Sequence, residues 1–320
     1  MAAKLARCPS PIVPKSDSLM PTTTNWRSVF TLFSVGAVTA LLLAKAAVAL
    51  PVLKAEFGLT LVEAGLLVSI FSLVAALFAA LFGAIADRYG QRRTAMVGLL
   101  IATLASTLGA FAPNGALMLA SRICEGLGFF LVSTAIPPLM LRQTAVQDRQ
   151  KAMGLWGGFV PAGGATVLLV GGVFISAVGW QGLWLLTSAA LVLATGCFLY
   201  TTRDMSSSRS QRSSASLGSV YGLLLLPGPM IMALIFVCYS AQYMSVTAYL
   251  PLILVEETGW SIATVGLASG IVFACNLIGN VASGILLDRG YSRQNVMLLA
   301  GITMGLGEVG LYSGLLPVSG

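Results

Sequence analysis

Three ionisable residues, Lys45, Arg122 and Glu125, stand in stretches of sequence that are otherwise almost wholly apolar. On a helix, Arg122 and Glu125 are at i and i+3, so guanidinium and carboxylate share a face and can pair. A charge in such a stretch is costly, and it faces either a partner or a water-filled cavity. The pair can therefore be a structural element that neutralises itself. Lys45 either snorkels its ammonium to the end of its segment or meets an anionic ligand. Tyr239, Gln242 and Tyr243 fall on one helical face that suits a small-molecule pocket, with ordinary helix packing as the other reading.

A second group of charges lies at the end of an apolar run. The segment GAIADRYGQRR, residues 83–93, sets Asp87 among Arg88, Arg92 and Arg93. Gly83 and Gly90 in it allow close helix approach and a tight turn. Arg142 is a candidate partner for Asp87. Farther along, GLWGGFVPAGGA (154–165) carries Gly154 and Gly158 at GxxxG spacing, with Pro161, Gly163 and Gly164 following, a pattern that kinks and thins a helix.

Other chemistries lack their residues. The chain has no histidine, and none of its five cysteines forms a CxxC pair, so no metal or cofactor site is indicated. No nucleophile–base constellation marks an enzyme. The net charge of +7 does not form a basic face with interleaved aromatics, which argues against a nucleic-acid partner.

The elements that must position these residues are membrane-spanning helices. Only 9% of the 320 residues are charged, against roughly 25% in soluble domains. The apolar residues fall in runs of about 18 or more, long enough to cross a bilayer. Nine helices are predicted, near 28–50, 60–83, 94–112, 116–140, 153–176, 181–201, 221–249, 262–286 and 294–316. The intervening basic residues are Lys4, Arg7, Lys15, Arg27, Arg88, Arg92, Arg93, Arg142, Arg149, Lys151, Arg203, Arg209, Arg212, Arg289 and Arg293 on one side, and Lys54 alone on the other. That asymmetry places the N-terminus in the cytoplasm. Trp26, Trp156, Trp180, Trp184 and Trp260 are expected at helix ends, as interfacial anchors. The cysteines within spans are read as small packing residues.

The chain also repeats itself. Leu50-Pro51 recurs as Leu250-Pro251, and Gly58, Gly65, Gly83, Asp87 and Arg92 recur 201 residues later as Gly259, Gly266, Gly284, Asp288 and Arg293. Repeats of this kind build transporters in which two bundles rock about a central site.

The 83–93 segment closely resembles motif A of the major facilitator superfamily, G-x-L-A-D-R-x-G-R-[RK], and GILLDRGYSR (284–293) resembles its second copy. LASRICEGLGFF (119–130) resembles motif B, and 154–165 partly resembles motif C, with Val160 where that pattern has glycine before the proline. The resemblance implies an all-α, multi-pass helical bundle in the cell membrane. It implies secondary transport of a small solute by alternating access, and coupling to protons. Gly83, Asp87, Arg88, Gly90, Arg92, Arg142, Asp288 and Arg289 would form the gating motif. Lys45, Arg122, Glu125, Tyr239, Gln242 and Tyr243 would serve coupling or an anionic substrate, and Gly158, Pro161 and Gly163 the kink of the fifth helix.

The expected organisation is a disordered cytoplasmic tail (1–27), a six-helix bundle (28–201), a Ser-rich cytoplasmic linker (202–220) and three helices of an incomplete second bundle (221–320). That is nine of the family's twelve helices, so the chain reads as a fragment or a truncated product. A non-transporting remnant or an accessory or sensor subunit is the alternative function. With nine spans, reporter fusions at positions 145, 208 and 320 are expected to read cytoplasmic, cytoplasmic and external. A cytoplasmic signal at 320 with the other two as stated would refute the count.

Overall fold

The computed structural model describes residues 21–205, 226–258 and 262–313, and these form helices with no strand among them. Most of the predicted tail and linker lies outside the described residues. In chain order the helices are α1 (Trp26–Phe57), α2 (Leu61–Tyr89), α3 (Gln91–Ala110), α4 (Gly115–Arg142), α5 (Arg149–Gly157), α6 (Phe159–Thr201), α7 (Pro227–Thr258), α8 (Ile262–Asp288) and α9 (Arg293–Tyr312), with one 3-10 turn at Val146–Asp148.

Local chemistry sets the helix ends. The Asn25 side chain accepts the Ser28 amide at 3.2 Å and opens α1. That helix runs through Pro51 to Phe57, beyond its predicted end near 50. Proline deletes one backbone hydrogen bond, and a packed membrane helix tolerates the loss. A reciprocal capping box opens α2: Thr60 Oγ1 accepts the Glu63 amide, and a Glu63 carboxylate oxygen accepts the Thr60 amide. Asn114 caps α4 by accepting the Leu117 amide at 2.9 Å.

The predicted helix 153–176 is interrupted between Gly157 and Phe159, and the next element continues to Thr201. Pro161 has no N–H to offer the Gly157 carbonyl, which accounts for the break. Within α6, Gly179 adopts φ 76° and ψ 173°. Before it, Gly163 packs on Ala37 and Ala40 and Gly171 on Val48, so this half runs alongside α1 in the same direction. After it, Trp180 reaches Glu56 and Thr202 lies beside Arg92, so the chain has turned back along α3. The α6 element is thus a hairpin of two helices hinged at one glycine.

In the first bundle α1 packs chiefly on α6, α3 on α4 and α6, and α2 on α4. Its core holds Leu32, Leu42, Leu99, Phe129, Leu139 and Phe198, with a second cluster around Leu53, Leu67, Met118 and Trp184. The outer faces expose Leu61, Leu77, Leu104, Leu108 and Leu193. A soluble protein would not leave such a continuous apolar exterior in water, and a bilayer is its natural solvent. Among the described residues six helical stretches are long and apolar enough to cross a membrane, the hairpin region being one of them. Trp180 and Trp184 are buried in the bundle and are not interfacial anchors. Cys124, Cys197, Cys238 and Cys275 lie free on exposed faces, where the sequence suggested interior packing.

The second bundle meets the first through α8. A methyl group on Gly154 would come within 2.7 Å of the Gly284 Cα, so α5 and α8 touch backbone to backbone. The helices α7 and α9 pack on α8.

The Gly179 conformation lies in a region that only glycine adopts freely, at a cost of about 1–3 kcal/mol for other residues. Gly179→Val is expected to lower the melting temperature in detergent, while Gly172→Ala, whose added methyl meets nothing within 4 Å, leaves it unchanged. Equal melting of Gly179→Val and the native protein would show that the hinge does not need glycine.

A buried charge cluster and a charged closure between bundles

Lys45, Arg122 and Glu125 meet in the interior of the first bundle, each with no exposed surface. Lys45 on α1 donates from Nζ to Glu125 Oε1 at 2.6 Å and to Ser106 Oγ at 2.7 Å. Its ammonium also sits over the Trp184 ring, 4.5 Å from the centroid. The Ser106 hydroxyl in turn donates a hydrogen bond to the Trp184 carbonyl at 3.2 Å. Arg122 on α4 donates to the other Glu125 oxygen, to the Leu42 carbonyl at 2.7 Å and to the Leu67 carbonyl at 3.2 Å. The Phe71 ring lies 4.3 Å from the guanidinium carbon.

Five helices converge here: α1, α2, α3, α4 and the second half of α6. The i, i+3 spacing puts Arg122 and Glu125 on one face, and the carboxylate gives one oxygen to each cation. Two basic side chains share one carboxylate, so with all three groups ionised the cluster has one positive charge in excess. Arg122 Nη2 is buried with no hydrogen-bond partner among the described residues, as is Trp184 Nε1. Sequence spacing suggested the Arg122–Glu125 pair. It did not reveal that Lys45 turns inward to the same carboxylate, nor that Ser106, Phe71 and Trp184 complete the shell. Ser106 is one hydroxyl in an apolar helix and carried no distinguishing signal. Trp184 carried the wrong one, since its place near a helix end read as an interface.

The second charged site joins the two bundles. Lys151 on α5 lies 2.9 Å from Asp288 Oδ2 at the end of α8, and 3.5 Å from Asp148 Oδ1. Asp288 is nearly buried, with 6% of its side chain exposed, against 42% for Lys151. The Gly154–Gly284 contact, one turn away, makes this approach possible. Arg289 is exposed.

The first copy of the motif is arranged differently. Asp87 and Arg88 are exposed, and Asp87 forms no ion pair among the described residues. Arg92 donates to Thr202 Oγ1 at 3.1 Å and ties the start of α3 to the end of α6. Arg142 donates to Gln91 Oε1 at 3.1 Å, joining α4 to α3. Gly83 borders open space, and Gly90, with φ 89°, forms the turn between α2 and α3.

The remaining candidates line the α5/α6–α8 contact or lie on α7. Gly158 packs on Leu277, Gly163 on α1, and Pro161 is buried. Tyr239 and Tyr243 stack at 6.1 Å, Tyr243 meets Phe273 edge-on at 5.6 Å, and Asn276 Nδ2 reaches the Tyr239 hydroxyl at 3.5 Å. These rings belong to the α7–α8 contact, and Gln242 beside them on α7 is half-buried.

The cluster's charge count orders its variants. Removing Glu125 leaves two buried cations without an anion, and breaking a buried pair costs about 3–5 kcal/mol. Removing Lys45 leaves a neutral Arg122–Glu125 pair. Thermal unfolding in detergent is expected to rank Lys45→Met at or above the native protein, Arg122→Gln below it, and Glu125→Gln lowest. A Glu125→Gln protein as stable as Lys45→Met would contradict the shared-carboxylate arrangement.

A family model described as the Major Facilitator Superfamily matches residues 29–319. The probable sulfoacetate transporter SauU of Cupriavidus necator is 24% identical over 288 residues, covering 85% of this chain and 67% of that protein. The methylenomycin A resistance protein of Bacillus subtilis is 32% identical over 142 residues, covering 43% of this chain and 29% of its own length. The hexuronate transporter of Bacillus subtilis is 24% identical over 270 residues, covering 82% and 64% respectively. The chain spans only part of the length of each of these relatives.

Proposed function

The chain belongs to the major facilitator superfamily, and from that premise we propose that it works in secondary transport of a small organic anion across the cell membrane, coupled to protons and operating by alternating access. The observation that carries this reading is the surplus positive charge of the Lys45–Glu125–Arg122 cluster. A fixed cation in a medium of low dielectric favours an anion in any adjacent path and opposes a cation. Two of the relatives are named for acidic solutes, sulfoacetate and hexuronate, and others for resistance to drugs. The cluster favours the first group as the guide to substrate class.

Counting charges supports proton coupling. Arg122 stays protonated under all working conditions. A proton on Glu125 would leave two cations together, whereas a proton leaving Lys45 would leave a neutral pair. Lys45 is thus the member whose protonation the cluster can exchange without stranding a charge. The Lys151–Asp288 pair supports alternating access, with the basic side of the α5–α8 contact closed in this conformation. Such a partly solvated pair is weak enough to break within a transport cycle. Asp87, Arg88 and Arg289 are assigned with it to the same gating face.

Uptake by proteoliposomes tests the reading. An imposed pH gradient is expected to drive accumulation of a carboxylate or sulfonate from a panel of small anions, with little uptake of neutral or cationic compounds. Lys45→Met is expected to lose at least tenfold of the gradient-driven accumulation while retaining exchange of labelled substrate. Native-like accumulation by that variant would remove Lys45 from coupling. Preference for a cation would overturn the anion assignment.

A further inference from the structure

The segment ahead of α1 is fastened to the closure between the bundles. Thr24 donates its hydroxyl proton to Asp148 Oδ2 at 2.5 Å and accepts the Ala145 amide on the same oxygen at 3.0 Å. Its neighbour Asn25 donates its backbone N–H to the Gln143 carbonyl at 2.9 Å. Residues 24 and 25 therefore strap the turn between α4 and α5, more than a hundred positions away in the chain. Nothing in the sequence marks Thr24, the last of three consecutive threonines, for this role.

The consequence lies in what Asp148 does not do. Asp148 and Asp288 compete for one ammonium, that of Lys151. Asp148 is on the same turn of chain as Lys151 and is the closer competitor in sequence, yet its oxygen stands at 3.5 Å while Asp288 takes the ammonium at 2.9 Å. The Thr24 hydroxyl holds the other Asp148 oxygen with a short charge-assisted bond. The Ala145 amide fixes that hydroxyl in turn. Both bonds resist the rotation that would bring Asp148 fully onto Lys151. No other ionised side chain forms an ion pair with these three among the described residues.

We infer that Thr24 is a positioning residue for the closure: by restraining Asp148 it leaves Lys151 to Asp288, and so makes the segment before α1 a brace on the contact between α5 and α8. This rests on the gating role given to the Lys151–Asp288 pair above. Loss of the hydroxyl frees Asp148 to capture Lys151 within its own bundle, and the tie to α8 weakens.

Spin labels at Gln147→Cys and Tyr291→Cys, two exposed sites flanking the pair, report the closure as a distance distribution in the full chain with its native cysteines replaced. Asp288→Asn is expected to add a longer component, and Thr24→Val to add a similar one. Thr24→Ser, which keeps the hydroxyl, is expected to match the native distribution. The telling variant is Thr24→Val with Asp148→Asn, in which the competitor has lost its charge and the native distribution returns. A merely structural strap would not be rescued in that way, so an unrescued long component overturns the proposal, as does a native distribution in Thr24→Val. If Asp288→Asn itself leaves the distances unchanged, the gating role fails and the brace fails with it. Thr24→Ala serves the same comparison should valine prevent folding.

Discussion

A charge placed where there is no water must be answered by other protein groups, and in this molecule that requirement organises the whole first bundle. Glu125 is the only anion in the cluster, and each of its oxygens is committed to a different cation. The cations in turn reach out to backbone and ring partners on α1, α2 and α6 and to the Ser106 hydroxyl on α3. Backbone carbonyls can take a second donor because only one lone pair serves the helix, so Leu42 and Leu67 bind Arg122 without loss of their helices. The aromatic faces of Trp184 and Phe71 supply negative quadrupole where no further carboxylate is available. Hydrophobic packing alone discriminates poorly between helix faces in a bilayer, since lipid is as apolar as leucine. The cluster supplies the directional contacts that such packing lacks.

The contact between bundles follows different physics. It is built from glycines that let α5 and α8 backbones touch, and it ends in an ion pair partly open to solvent. Close backbone contact contributes through dispersion spread over many atoms, and it vanishes once the surfaces separate by a small gap. The pair, solvated on its lysine side, adds direction more than strength. One bundle is therefore locked by dry charges, while the seam is held by contacts that can be made and unmade. The proposed rocking of the bundles against each other would need that division of interaction strengths.

Much of this was legible in the sequence. Apolar runs announced the helices, because the bilayer imposes them directly on composition. The Arg122–Glu125 pair was readable because helical periodicity fixes which side chains are neighbours. Lys45 was not, because its direction depends on which helix faces it, and two readings remained open. The same limit hid Lys151, whose partner lies 137 positions away on α8, and Thr24, whose partners lie across the α4–α5 turn. The interruption at Gly157–Phe159 could be anticipated from Pro161. The continuation of α1 past Pro51 could not, because a proline marks a missing bond and the neighbours decide whether the helix survives it.

The two copies of the repeated motif illustrate that limit most directly. Asp87 and Asp288 occupy matching places after matching glycines, yet one is exposed and the other nearly buried. The difference does not lie in the motif. Gly284 meets Gly154 and the Gln150 carbonyl of α5, while Gly83 meets nothing within 4 Å. Where a helix lies against the glycine, its first turn brings a cation to the carboxylate and removes water from around it. Without such a helix the same carboxylate stays hydrated and unpaired among the described residues. The motif thus encodes a surface that becomes a closure only when a facing helix end supplies both the contact and the charge, and in this structure α5 supplies them to the second copy.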